Sequence, residues 1–157
     1  EEEITSTERV ERTSALFDFA SREKNLAIRL CGKLEQELAL LQPPEQEEYL
    51  KEYNLPEIGL HKLIHAAYNL LELETFFTGG SGEVRAWTIR KGMPASKAAG
   101  EIHTDFERGF IKAEVYHYED MLNYGSEEAL RDAGKIRMEG RNYVVKDGDI
   151  IYFRFNV

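Results

Sequence analysis

Apolar residues in this 157-residue chain fall into short amphipathic runs separated by Gly, Pro and Asn. The period of each run predicts an element. Val10, Leu16, Phe17 and Ala20 mark one side of a helix over Thr7–Lys24, with Thr5, Ser6 or Thr7 as its cap. After Asn25, Leu26–Cys31 reads as a short strand ended by Gly32. Leu34, Leu38 and Leu41, at spacings of four and three, predict a helix that Pro43-Pro44 stops. A short acidic helix over Glu45–Glu52 follows. A stronger one covers Pro56–Leu71, with Leu60, Leu63, Ile64, Ala67, Leu70 and Leu71 as its stripe.

The second half changes period. Thr75–Thr78 and Val84–Arg90 read as hairpin strands around the Gly79–Gly82 turn. Pro94 opens a helix over Ala95–Ile102, where Ala98 and Ala99 allow close approach to a sheet. Phe110–His117 alternates, and Ile111, Ala113, Val115 and His117 form its more apolar face. Short helices over Tyr118–Asn123 and Ser126–Ala133 are divided by Gly125. Tyr143–Val145 is a strand, Lys146–Asp149 a tight turn and Ile150–Phe155 a closing strand.

From residue 74 the order is therefore β-β-α-β-α-β-β, an α+β pattern that fits a small mixed sheet gripping one helix, the β-grasp or ubiquitin-like arrangement. The helix–strand–helix order of residues 1–50 reads instead as a remnant of a parallel α/β sheet. Such a strand needs neighbours on both sides. The expectation is a larger domain whose front is absent.

Composition narrows the class. Hydrophobic residues at 42% and charged residues at 31% are globular rather than disordered. A single cysteine, Cys31, excludes an intrachain disulfide and suits a reducing, cytoplasmic setting. No apolar run reaches the roughly 20 residues of a membrane span, so no membrane partner is expected. The start, EEEITSTERVERT, is no signal peptide. Net charge is −9, with 16 acidic and eight basic side chains in residues 1–80 against 13 and 12 in residues 81–157. DNA is not an expected partner, but the near-neutral second half has room for a local basic face.

Enzymatic chemistry is sparse. There is no G-x-x-x-x-G-K-[ST] phosphate loop. Gly32-Lys33 and Gly134-Lys135 are followed by Leu34 and Ile136 where a metal-binding hydroxyl is needed, and Ala27 and Ala129 stand where the first glycine belongs. Phosphoryl transfer by this chain is not expected, and no catalytic residue or cofactor is assigned to it. His61 and His65 lie one helical turn apart without a third ligand, so no metal is expected. His103 is placed to hydrogen-bond the last carbonyls of the alanine-rich helix. A His103–Asp105 pair as the centre of a small enzyme is an alternative that lacks a nucleophile. Arg85, Arg90, Lys91, Lys97 and Arg108 surround Trp87 and Phe106. Cations beside an aromatic platform suit an RNA backbone and an unstacked base. Core packing is the preferred reading for Trp87; for the cations, RNA contact and plain solvation both stand.

Longer runs carry a family resemblance. Ala98–Phe106 and Lys146–Ile150 resemble a TGS domain, the β-grasp module shared by threonyl-tRNA synthetases, certain GTPases and stringent-response synthetases. Phe76-Phe77-Thr78, Glu83–Ile89, His103–Ile111 and the terminal Phe153–Val157 closely resemble the YchF family, the Obg-like ATPases, over roughly residues 55–157. That resemblance implies three parts: the end of a P-loop nucleotide-binding domain over 1–50, a connecting helix over 51–73 and a TGS domain over 74–157. Cys31-Gly32-Lys33 falls where the family has a nucleotide-contacting loop, typically Ser-Ala-Lys followed by Leu-Glu. Lys33, Leu34 and Glu35 match, whereas Cys31 and Gly32 depart; a plain strand-to-helix turn is the other reading. For the full-length protein the resemblance implies ATP and magnesium, ATP hydrolysis and association with the ribosome. The TGS domain would dock on ribosome or RNA through Arg85, Arg90, Lys91, Lys97 and Arg108. The alternative is a protein-interaction module using the β-grasp sheet.

Overall fold

A computed structural model describes residues 7–80 and 82–156. The chain forms two compact units, Glu1–Leu70 and Leu71–Val157. The proposed caps Thr5 and Ser6 lie outside the described residues.

The first unit is helical: α1 (Thr7–Arg22), α2 (Gly32–Leu38), α3 (Pro43–Glu52) and α4 (Gly59–Leu70). Leu26–Cys31 is not a strand. Cys31 has extended dihedrals, φ −106° and ψ 102°, but the segment joins no ladder among the described residues. Extended backbone without a neighbour does not become a sheet. Arg29 instead ties the segment to α1, its guanidinium donating to Thr13 Oγ1 and lying 5.6 Å from the Phe17 ring centre. Pro43-Pro44 opens α3 rather than merely ending α2, because a helix's first turn has no use for the missing N–H. Gln42 caps α3, its own N–H donating to Glu45 Oε2 at 2.9 Å. α4 starts at Gly59, later than Pro56, and its leucine stripe is exposed within the unit, Leu60, Leu63, Ile64 and Leu70 included. Amphipathic period thus located the helix without saying what covers it.

The second unit is a five-stranded mixed sheet carrying helices. Its elements are β1 (Leu73–Gly80), β2 (Glu83–Arg90), α5 (Ala95–Ile102), α6 (Thr104–Arg108), β3 (Phe110–His117), α7 (Tyr118–Tyr124), α8 (Glu127–Asp132), β4 (Arg137–Glu139) and β5 (Asp149–Phe155). Strand order is β2-β1-β5-β3-β4, with β1 and β5 parallel and the other neighbours antiparallel. α5 lies against β2 and β3, with Ala95, Ser96, Ala98 and Ala99 buried. Small side chains at i, i+3 and i+4 let helix and sheet approach closely. Phe76, Ile89, Phe110, Ala113, Val115, Val145 and Ile151 complete the core.

Two expectations about strands change. β3 contains a bulge between Phe110 and Lys112, so Phe110 is buried with Ala113 and Val115 while Ile111 points to solvent. One extra residue shifts every side chain before it to the opposite face. Tyr143–Val145 is not a strand but a single bridge, Pro94 to Val144; the fourth strand is Arg137–Glu139, paired with Val115–Ala113. A three-residue charged segment gives no alternation to read. Gly109, just ahead of β3, has a backbone reason for its identity: a Cβ there would strike the carbonyl of Asn156, whose N–H donates to Gly109 O.

On the other face, Glu127 Oε1 of α8 accepts from Tyr116 Oη at 2.9 Å and Tyr152 Oη at 2.6 Å, sealing the β3–β5 half. Burial and this carboxylate hold both phenols neutral above their ordinary range. Tyr143 donates to the buried Asp149 Oδ2 at 2.7 Å, and burial followed by that bond raises its pKa from 10.0 to about 12. Below pH 10 the phenol is neutral in both states. Between 10.0 and about 12 the unfolded chain loses its proton while the folded chain keeps it, so stability falls as pH rises through that window. Melting temperature should therefore drop across this range more steeply in the native protein than in Tyr143→Phe; parallel slopes would contradict the bond.

Candidate functional site

The candidate site grows from the crossing between β2 and α5. Lys91 N donates to Glu72 O at 2.7 Å, Met93 N to Arg90 O at 3.2 Å and Val145 N to Met93 O at 3.0 Å, which fixes the turn 91–94. The start of α5 is not an open anion site. Ala95 N donates to Tyr143 O at 2.7 Å and Ser96 N to Arg141 O at 3.3 Å, so its first donors are used. Positive charge comes from side chains instead. Arg90, Lys91 and Lys97 line one surface groove of 580 Å³ together with Met93, Glu101 and Glu107.

Three of the five cations singled out in the sequence thus share one place. Lys97 Nζ meets Glu107 Oε1 at 2.5 Å, and Lys91 Nζ lies 4.0 Å from Glu74 Oε1. Arg90 has no ion-pair partner among the described residues. The two lysines are exposed while their carboxylate partners are half-buried, so the cationic ends are the part of each pair that an incoming anion can reach. Arg85 sits nearer the hairpin, 3.0 Å from Glu83 Oε1, and Arg108 ends α6; neither lines the groove. Glu101 and Glu107 escaped the sequence reading. The only signal was the i, i+4 spacing of Lys97 and Glu101, yet Lys97 pairs across to α6.

Neither aromatic is a free stacking platform. Trp87 packs against the core, and its Nε1–H donates to Thr78 Oγ1 at 2.9 Å. Phe106 stacks on Phe155 with centroids 3.8 Å apart. His103 does not serve the end of α5 with its ring. Its backbone N–H bonds Ala99 O, while Nδ1 accepts from Asp105 N at 3.2 Å and so caps α6. His61 and His65 are exposed on α4, and among the described residues no cluster of three His, Cys, Asp or Glu side chains stands where a metal would be held.

Cys31-Gly32-Lys33 lies at the start of α2, with Cys31 as N-cap and Lys33 Nζ 3.7 Å from Glu37 Oε1. Glu35, matched to the family by sequence, has a structural task as well. Its carboxylate reaches 24 residues forward, accepting from Gly59 N at 2.9 Å and Leu60 N at 3.1 Å. It caps α4 from another helix, and a Cβ on Gly59 would strike it.

Known proteins share this chain's sequence and fold. A family model named YchF-GTPase_C, described as a protein of unknown function (DUF933), matches residues 73–156. The "Ribosome-binding ATPase YchF" of Bacillus subtilis (strain 168) is 48% identical over 157 residues, covering 100% of this chain and 43% of its own length. "Obg-like ATPase 1" of Homo sapiens is 56% identical over 131 residues, 83% of this chain and 33% of that protein. The solved structure of the Schizosaccharomyces pombe YchF GTPase superposes with a TM-score of 0.78 at 39% identity, over 92% of this chain and 38% of that one. The chain thus spans less than half the length of these relatives.

The Glu35 cap is directly testable. Glu35→Ala should cost the first unit about 1–2 kcal/mol by urea unfolding monitored through helicity, and Glu35→Gln less. Native stability in Glu35→Ala would show that the carboxylate does not hold α4.

Proposed function

The chain belongs to the YchF family, and on that premise we propose that its Leu71–Val157 unit is a docking module for the ribosome. The observation that carries the proposal is the convergence of Arg90, Lys91 and Lys97 on one groove, in the unit the family model matches. Relatives carrying the name ribosome-binding ATPase support the choice of partner. We further read residues 74–157 as a TGS domain of the β-grasp type. The strand order β2-β1-β5-β3-β4 around α5 supports that reading. Ribosomal RNA is the contact in this account, its phosphodiester backbone running along the groove cations, because exposed lysines and arginines gain most from releasing the counterions of a polyanion.

Residues 1–50 correspond to the end of a nucleotide-binding domain, and residues 51–73 connect it to the docking module. The phosphates of ATP and the magnesium are held by protein outside this chain's span, since no phosphate loop occurs here. In this arrangement ATP hydrolysis switches a protein that the present module anchors. Arg85 and Arg108 stand outside the groove and add to its field without lining it.

Cosedimentation of the chain with ribosomes over a salt series tests the docking. Binding should weaken steeply with salt, and Arg90→Gln with Lys97→Gln should weaken it at least about tenfold and reduce the log–log salt slope by about two. Arg108→Gln should do markedly less. No binding by the native chain, or unchanged binding by the double variant, would overturn the reading.

A further inference from the structure

Gly100 stands inside α5, where glycine is a poorer helix former than alanine. Lys97, Gly100 and Glu101 follow one another at the spacing of a single helix face. The room that Gly100 leaves on that face is taken by Glu107 of α6. A Cβ at Gly100 would come within 2.6 Å of Glu107 Oε2 and 3.3 Å of its Cβ. With glycine there, Glu107 Oε1 reaches Lys97 Nζ at 2.5 Å. Glu101 occupies the i+4 position where a partner for Lys97 is normally found, yet it makes no ion pair among the described residues.

Glu107 is held in place independently of the lysine. Phe106 beside it stacks on Phe155 with centroids 3.8 Å apart, and His103 Nδ1 caps α6 by accepting from Asp105 N. Glu107 is also the more buried partner, its side chain 34% exposed against 62% for Lys97. The carboxylate is therefore positioned by α6, and the ammonium comes to it on a flexible stem. Lys91 differs, since its Nζ lies 4.0 Å from Glu74 Oε1. Of the two lysines in the groove, Lys97 is the one held at hydrogen-bond distance.

We propose that Glu107 is a built-in counter-anion of the groove, seated through the gap at Gly100, with which a polyanion must compete for Lys97. For RNA as the ligand this rests on the docking reading; the contact itself stands on this chain's own side chains. A phosphate and the carboxylate cannot both close on Lys97 without facing each other at short range, where like charges repel. A ligand gains Lys97 only when its other contacts along the groove offset that repulsion. Glu107 thus lowers the affinity of the groove for polyanions. Gly100, with no charge of its own, is what lets it do so.

Inorganic polyphosphate is the probe, titrated into the full chain by calorimetry, because it carries backbone-like charge without bases or sugars. Gly100→Ala leaves the net charge unchanged and pushes only the end of a flexible side chain aside. It should tighten polyphosphate binding about threefold. Glu107→Gln should do at least as much. Glu101→Gln, which removes the same charge from the same groove, should do markedly less. In a Lys97→Gln background the gain from Glu107→Gln should disappear, which a general change of field would not produce. Circular dichroism checks that Gly100→Ala folds; if it does not, Glu107→Gln with and without Lys97→Gln decides alone. Four results would each overturn the proposal: unchanged or weaker binding in folded Gly100→Ala or in Glu107→Gln, equal gains in Glu101→Gln and Glu107→Gln, a gain that survives Lys97→Gln, or no polyphosphate binding by any form. Ribosome cosedimentation separates this from the docking reading. Variants that gain polyphosphate affinity while no form binds ribosomes would remove the docking and leave the competition standing.

Discussion

The turn Lys146–Asp149 holds the second unit together, and the sheet depends on it more than on any single core residue. Asp149 is 1% exposed and begins β5, the strand between β1 and β3. Its Oδ2 accepts from Tyr143 Oη at 2.7 Å and Lys146 N at 2.9 Å, and its Oδ1 faces Arg137 at 3.6 Å. Neighbouring atoms of the same turn reach both flanking strands. Asp147 Oδ1 accepts from Thr75 N, Gly148 N donates to Thr75 O, and Tyr118 N donates to Gly148 O. His117 Nδ1 accepts from Glu119 N, which leaves Nε2–H to donate to Asp147 O at 3.0 Å. A buried carboxylate is costly unless its lone pairs are engaged. Here Oδ2 is hydrogen-bonded while Oδ1 has only the Arg137 charge opposite it, and the turn so held fixes the register of three strands at once. Gly148 takes the left-handed φ of 81° that the turn requires, and a Cβ there would meet Tyr118 and His117.

Register set at that turn propagates to the candidate site. β1 pairs with β5 near Phe77 and Ile150, and β2 hangs on β1, so the position of the outer hairpin follows from the central strand. α5 is held from the same segment, through Tyr143 O and Arg141 O accepting its first N–H groups. Hairpin and helix together define the groove, which is why three cations from two elements converge there. The site therefore needs no buried charge of its own. Its lysines stay exposed, each paired with a half-buried carboxylate.

Much of this was legible in the sequence because period and punctuation agree. The hairpin around Gly79–Gly82, the Pro94-initiated helix with Ala98 and Ala99 inward, and the closing strand all appear where alternation and turn residues put them. The misses have specific causes. A bulge in β3 exchanged Phe110 for Ile111, and no sequence alternation reveals an inserted residue. Tyr143–Val145 has strand composition, yet the backbone of Tyr143 and Val145 bonds α5 and the 92–94 turn instead of a ladder. Leu26–Cys31 has strand composition but pairs with no strand among the described residues. Among the site residues, the cations were readable individually but their grouping was not, since it depends on the angle between β2 and α5. Glu35 was visible as a family match, whereas its bond to α4 is a tertiary contact 24 residues away.

The central claim is that the β2–α5 corner of the second unit meets the ribosome. Hydrogen–deuterium exchange of the chain with and without saturating ribosomes tests it most directly, since it locates the contact without altering a residue. The account predicts slowed exchange confined to residues 83–108. Protection centred instead on α2–α4, or on α7–α8 at the far side of the sheet, would contradict it.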